Sequence, residues 1–312
     1  MDICVWDKCN NNCSMCTNPD KPWLSFDGKS EGSYEYEVLV ERIKRFKSKA
    51  ASDDSIILTG GEPTLHPRFL DVLKFIRKTF PKQEIRILTN GRRFVYRDFA
   101  EAVLKTDNLN LAVSLYGPTS KIHDAITRTK NSFEQTVGGL NNILARRGAD
   151  QSVEIRTVIS KLSYRYLDQI LSLIKVYFPS VDRVILIFIE REGQAIKHSK
   201  SVSLSYSQVR PYLEKIYLFF SLLKEVRLYH FPLCSLDSKF WPFVWRTLPE
   251  KEVTFIPSCI QCQYKKYCLG IHKDYPNKIK SKEFKSIESN FIVKETNDFY
   301  HPIIKVTKNN DF

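Results

Sequence analysis

The chain has 312 residues, 43% of them hydrophobic and 27% charged, a composition that gives a globular protein with one large core and room for a small appendage. No apolar run is long enough to span a bilayer, and Met1-Asp2 carries neither a basic n-region nor an h-region, so the expectation is a cytoplasmic protein with no membrane contact. The net charge of +13 is compatible with an acidic partner such as nucleic acid. The basic runs, Arg42, Lys44, Arg45, Lys47 and Lys49, then Lys265, Lys266, Lys273, Lys278, Lys280, Lys282 and Lys285, lack the interleaved aromatics of a nucleic-acid module and read as solvated surface.

Residues 3–6 predict a first strand, with Cys4 as a buried structural thiol. The strand delivers Cys9, Cys13 and Cys16 in the spacing C-x3-C-x2-C. Three thiolates on one tight loop can hold three irons of a cubic four-iron cluster and leave the fourth open. A zinc knuckle, a redox thiol pair and loosely placed core cysteines are the other readings of the triplet. Residues 17–33, rich in Pro, Gly, Asp and Ser, read as loop, and 35–49 as a helix with Val38, Leu39, Ile43 and Phe46 on one face. A second strand over 55–58 runs into Thr59-Gly60-Gly61-Glu62-Pro63-Thr64. Glycines there let backbone approach a ligand that a Cβ would block, and Glu62 is an acceptor for a charged amine.

Pro67 opens a helix reaching about Phe80. Further strands are expected at 85–88, 109–115, 153–159 and 184–189, alternating with helices near 96–105, up to Arg147, around 167–174 and along 209–223. Six βα units in alternation imply a parallel sheet with right-handed crossovers, and sites in such folds lie at the C-terminal strand ends. Cys9 to Cys16, Gly60 to Glu62, Asn90, Ser114 and Glu190 to Gly193 all fall there.

The cysteine triplet and the GGEP turn one βα unit later resemble the radical S-adenosylmethionine (SAM) superfamily over roughly the first 225 residues. The resemblance implies a partial (β/α)6 barrel of TIM type. It implies a 4Fe-4S cluster on Cys9, Cys13 and Cys16, and SAM bound at the open iron with its amino group held at Gly60, Gly61 and Glu62. Reductive cleavage of SAM to a 5′-deoxyadenosyl radical then follows, with flavodoxin or ferredoxin as the kind of electron donor. Residue by residue, Met15 matches a position packing near the adenine and Ser114 one that binds the ribose or carboxylate. Arg128 matches an arginine pairing with the SAM carboxylate, displaced by two residues. Arg156, a guanidinium in an apolar strand, is an alternative for that carboxylate, or else a salt-bridge partner of Glu154 or Glu190. Asn90 completes the expected cofactor-binding set.

Beyond about residue 226 the alternation is expected to stop, giving a barrel over 1–226 and a second unit over 227–312. That unit carries Cys234, Cys259, Cys262 and Cys268, the last three as C-x2-C-x5-C. Four cysteines suffice for Cys4 zinc or for a fully ligated iron–sulfur cluster. The arrangement resembles the shortened auxiliary-cluster modules of SPASM and twitch type, which implies one auxiliary 4Fe-4S cluster. Phe231-Pro232-Leu233-Cys234-Ser235-Leu236-Asp237 with Trp241-Pro242-Phe243 is similar to maturases of the His-Xaa-Ser peptide system. A peptide substrate is therefore expected, with a substrate-presenting partner, since no peptide-recognition segment precedes the first strand. Modification of RNA or a small metabolite is the second enzymatic reading, and a zinc-stabilised partner-binding scaffold the non-enzymatic one. No catalytic acid or base stands out, and residues 286–312 read as a tail without motif.

Overall fold

The structure is a computed structural model that describes residues 2–18, 34–47, 55–276 and 282–308; Lys49, Lys278, Lys280 and loop residues 19–33 lie outside them. Eight strands run in sequence order across one sheet: β1 (Asp2–Trp6), β2 (Ile56–Gly60), β3 (Ile85–Thr89), β4 (Leu109–Ser114), β5 (Ser152–Ile159), β6 (Arg183–Phe188), β7 (Val226–Tyr229) and β8 (Val244–Trp245). Every neighbouring pair is parallel. Helices α1 (Tyr36–Lys47), α2 (Phe69–Thr79), α3 (Arg97–Leu104), α4 (Ser120–Thr127), α5 (Ser132–Arg146) and α6 (Leu167–Tyr177) connect the first six strands. This is the α/β partial-barrel class that the alternation implies.

Packing explains why these segments adopt these elements. Helix α2 buries Phe69, Val72, Leu73 and Ile76, a stripe at helical spacing, against the sheet. Strand β4 is buried on both faces up to Val113, as a central parallel strand must be. Side chains alternate along β5, so Glu154 and Arg156 share one face, and the register sets Ser114 of β4 beside Arg156 and Arg156 beside Ile185 of β6.

Three stretches refine the sequence expectation. The helical segments expected up to Arg147 are two helices, divided where Arg128 and Asn131 adopt left-handed backbone (φ 53° and 63°). The Asp124 carboxylate then accepts from Asn131 N, Phe133 N and Ser132 Oγ, satisfying the start of α5. Parallel pairing also continues past residue 226 into β7 and β8, joined by 3₁₀ turns over residues 233–235 and 238–243 in place of a crossover helix. Lastly, the described part of the tail without motif, residues 286–308, carries regular structure. Strands β11 (Phe291–Glu295) and β12 (Ile303–Lys308) form an antiparallel hairpin, distinct from the short pair β9 (Val253–Thr254) and β10 (Ile271–His272). The hairpin packs Phe291 against Trp241 with centroids 5.2 Å apart, and Ile303 is buried.

Candidate active site

The loop after β1 carries the first cysteine set, and neighbouring strand ends hold it by hydrogen bonds. Asn12 N donates to Thr127 O at 2.9 Å and Ser14 N to Ile126 O at 3.1 Å, tying the loop to the end of α4. Arg92 donates to the Asn10 carbonyl and, at 2.7 Å, to Asn11 Oδ1, while its Nε reaches Gln135. Asn90 Nδ2 donates to Asn10 Oδ1 at 2.7 Å and faces Cys9 Sγ at 3.7 Å; Asn11 N approaches the same sulfur at 3.3 Å. Burial pushes the Cys9 thiol up to about 11, and the other two thiols rise for the same first reason, with Cys9 and Cys16 charge adding to the effect at Cys13. Ligation to a metal cluster deprotonates such thiols outright. The donor set fits iron: three thiols on one loop, with N–H donors already aimed at one sulfur.

The GGEP turn sits against this loop, for a reason the sequence does not reveal. A Cβ on Gly60 (φ +136°) would lie 2.1 Å from Trp6 O, and one on Gly61 would lie 2.4 Å from Lys8 O. In the structure, then, what a Cβ would strike is the cysteine loop's own backbone. Gly61 N donates to Trp6 O at 2.7 Å and Glu62 N to Lys8 O at 2.9 Å, zipping the two loops together. Glu62 is fully buried, and its carboxylate is occupied by protein donors. Oε1 accepts from Thr64 Oγ1 (2.6 Å), Thr89 Oγ1 (2.7 Å) and Thr64 N (3.2 Å), and Oε2 accepts from Asn90 N (2.7 Å). Desolvation drives its pKa up and these four donors oppose that rise. The clasp joins the ends of β2 and β3, so Glu62 positions Asn90 and through it the cysteine loop.

Met15 is buried in the core beneath the cysteines. Ser114 bonds Tyr116, whose deeply buried phenol is pushed far up, first by desolvation and then by the negative charge of Cys13. Tyr116 also stacks on His123 (centroids 5.8 Å) and donates its N–H to His123 Nδ1 at 3.2 Å. Arg128 is exposed at the end of α4 and bonds His198 Nε2 at 2.9 Å. Arg156 lies half-buried, its Nε 3.9 Å from Glu154 Oε1 and, among the described residues, without a hydrogen-bond partner. The strand ends thus gather Gly60, Gly61, Asn90, Ser114 and Arg156, with Arg128 one helix away. Arg92 and Tyr116 are additions that sequence reasoning missed. An Arg directly after Thr89-Asn90-Gly91 was the available signal for the first.

At the adjoining mouth, Glu190 follows β6 and His230 follows β7. His230 Nδ1 lies 3.1 Å from Glu190 Oε1 and 3.3 Å from Phe188 O. Burial, then the charge of Glu192, lifts the Glu190 carboxyl to about 7; burial pushes His230 down to about 3. Nearby, Glu192, His272 and Asp274 are the one group of three His, Cys, Asp or Glu ligand atoms within 4.8 Å of one another among the described residues. Asp274 N donates to His272 Nδ1 at 3.2 Å, which leaves the ring hydrogen on Nε2, 3.5 Å from Glu192 Oε1. A neutral ring in that tautomer turns its N–H, not a lone pair, toward Glu192, and Nδ1 is occupied by Asp274 N.

Cys234, Cys259, Cys262 and Cys268 line a single pocket with Leu233, Phe255, Tyr264 and Ile287. Leu233 N and Gly270 N both approach Cys268 Sγ at 3.4 Å. Desolvation lifts the Cys234 and Cys268 thiols to about 12 and about 11. Tyr264, bonding Ser289 O and Phe291 O, lines the pocket, and Trp241, its Nε1 donating to Leu233 O at 3.1 Å, packs on Tyr264 with centroids 4.9 Å apart.

Residues 3–174, more than half of the chain, match the radical SAM superfamily. The mycofactocin maturase MftC of Mycobacterium tuberculosis is 32% identical over 183 residues, covering 56% of this chain and 42% of that protein. The antilisterial bacteriocin subtilosin biosynthesis protein AlbA of Bacillus subtilis is 28% identical over 134 residues, 41% of this chain and 27% of that one. The chain thus spans less than half the length of these curated relatives. Among solved structures, Streptococcus suis SuiB bound to its precursor peptide SuiA superposes with a TM-score of 0.55 at 14% identity, over 72% of this chain and 48% of that one. Native anSMEcpe with bound AdoMet and a peptide gives 0.54 at 18%, over 72% and 63%. These two likenesses concern the fold. The family match and the cysteine loop together make this chain a member of the radical SAM superfamily, enzymes that hold a 4Fe-4S cluster and S-adenosylmethionine.

Proposed function

We propose that the chain is a peptide-modifying radical SAM enzyme with an auxiliary 4Fe-4S cluster in a SPASM/twitch-like C-terminal unit beginning near residue 227. The observation that carries it is the second cysteine set, four thiols around one cavity. Four thiolates fully ligate one cubane; Cys4 zinc is the alternative that metal analysis separates from it. Two relatives are named for maturation or biosynthesis of peptide products, which supports the peptide substrate.

Bound SAM supplies a 5′-deoxyadenosyl radical that abstracts hydrogen from the substrate. The chain's own part is positional. Cys9, Cys13 and Cys16 would hold the first cluster. The loop edge at Gly60, Gly61 and Glu62, with Met15, Asn90, Ser114 and one of Arg128 and Arg156, would cradle SAM. Cys234, Cys259, Cys262 and Cys268 would hold the second cluster, which accepts the substrate's electron or grips the substrate. A small flavodoxin or ferredoxin would deliver the reducing electron, a partner protein would present the peptide, and the cytoplasm is the compartment of the reaction. No described helix is long and apolar enough to cross a membrane. Anaerobic protein incubated with SAM, reductant and a candidate precursor peptide should yield 5′-deoxyadenosine together with a mass change in the peptide. Iron-loaded protein that makes 5′-deoxyadenosine but alters no peptide would sink the peptide reading.

A further inference from the structure

We propose that Glu190 and His230 form a proton-handling pair that acts on the substrate at the barrel mouth, an inference resting on the peptide-modifying reading above. The two residues end adjacent strands, 40 positions apart in sequence, and meet at 3.1 Å. His230 holds left-handed backbone, φ +67°, which a residue with a Cβ adopts at a cost of about 1–3 kcal/mol. Strain of this kind persists where the surroundings impose it, and here its effect is to set the imidazole against Glu190. The Phe188 carbonyl, 3.3 Å from His230 Nδ1, requires that nitrogen to carry the hydrogen. His230 Nδ1 therefore gives its hydrogen to Phe188 O, which sets an uncharged ring 3.1 Å from Glu190 Oε1.

Charged and titratable groups face Glu190 from each packed element: Glu192 on its own loop, Arg156 from β5, His230 from β7, and Glu252 and His272 from the C-terminal unit. The carboxylates Glu192 and Glu252 oppose ionisation, and Arg156 and His272 favour it. The balance leaves Glu190 able to change protonation near neutral pH, as a general acid–base group must. The loop carrying it touches the first cysteine set, since Gln194 N donates to Cys16 O at 2.8 Å. The pair thus lies at the same strand ends as the first cysteine loop, on a segment tied to it. There, a substrate radical centred beside an N–H or O–H loses its electron to an oxidised iron–sulfur centre. The heteroatom proton passes to the Glu190 carboxylate, and a double bond forms between carbon and heteroatom.

The test has two arms. In iron-loaded protein without substrate, difference infrared spectroscopy should show a protonated carboxyl that titrates near neutral pH, is missing in Glu190→Gln and has a displaced midpoint in His230→Asn. Asparagine tolerates the left-handed backbone, so this variant keeps the test alive if Glu190→Gln fails to fold. With peptide, Glu190→Gln should raise the 5′-deoxyadenosine released per modified peptide by about a hundredfold. A band that does not titrate, or that survives in Glu190→Gln, overturns the pair, as does a coupling ratio within about twofold of wild type. The infrared arm needs no substrate. A wild type that cleaves SAM and modifies no peptide therefore sinks the peptide reading alone and leaves the pair to be decided spectroscopically.

Discussion

Cys9, Cys13 and Cys16 lie within eight positions on one loop, and polar side chains from neighbouring elements hold that loop: Asn90, Arg92 and, behind them, Glu62. Cys234, Cys259, Cys262 and Cys268 are gathered from three separate turns, and aromatic packing by Trp241, Tyr264 and Phe291 holds those turns together. Directional hydrogen bonds set the first group's geometry, and Cys9 stays exposed. Packing of the aromatic rings sets the second group's. Damage to the first should therefore appear as lost chemistry with the fold intact, and damage to the second as lost fold with the chemistry of the first intact.

The sharpest break is Cys9→Ala, Cys13→Ala or Cys16→Ala, each expected to abolish 5′-deoxyadenosine formation while the thermal transition is retained. Normal yield from any of them would end the assignment of the loop. Next, wild-type protein should bind about eight irons, and the triple variant of these cysteines about four, with cluster EPR after reduction. A colourless triple variant with about one zinc would recast the second group as a zinc brace. Trp241→Ala should destabilise the C-terminal unit by about 3–5 kcal/mol, read by chemical denaturation, and release its iron before that of the first loop. Retention of that iron through the whole transition would refute packing as the second group's support.

A smaller effect concerns pH. His123 is buried against Tyr116 with Nε2 unpartnered, and burial lowers it to about 4. Its unfolded value is about 6.5, so between these values the unfolded chain binds more protons. Stability is complete above pH 6.5 and falls as pH drops toward 4, by up to roughly 3 kcal/mol. His123→Gln should flatten that slope in urea titrations at stepped pH. Arg92→Gln should have the least effect, loosening the first loop by about 1–3 kcal/mol. Its reading is faster iron loss to a chelator from the first site, with the second site's rate as an internal control.

The strands up to β6 were legible because apolar runs and helical stripes alternate at fixed spacing. Strands β7 and β8 were not, since VRLY and a two-residue strand carry little periodicity and 3₁₀ turns join them. The two cysteine sets stand out by spacing, and the hydrogen bonds and rings that brace them do not. Glu62 reads as a free acceptor in sequence because its donors, Thr89 and Asn90, arrive from another strand. The need for glycine at 60 and 61 reads as room for a ligand, whereas the Cβ positions are filled by residues 6–8. Glu190 and His230 carry no mutual signal at all, because only the parallel pairing of β6 with β7 brings their strand ends side by side.

The β11–β12 hairpin follows Cys268 in the chain, and Trp241 and Tyr264 pack against its first residue. During synthesis, where earlier segments fold first, Trp241 and the Tyr264 wall of the second cavity therefore lack this backing until the hairpin emerges. The first loop gains its braces as soon as residues 90–136 are made. The two cysteine sets are thus braced in order of manufacture, the N-terminal loop early and the C-terminal cavity last.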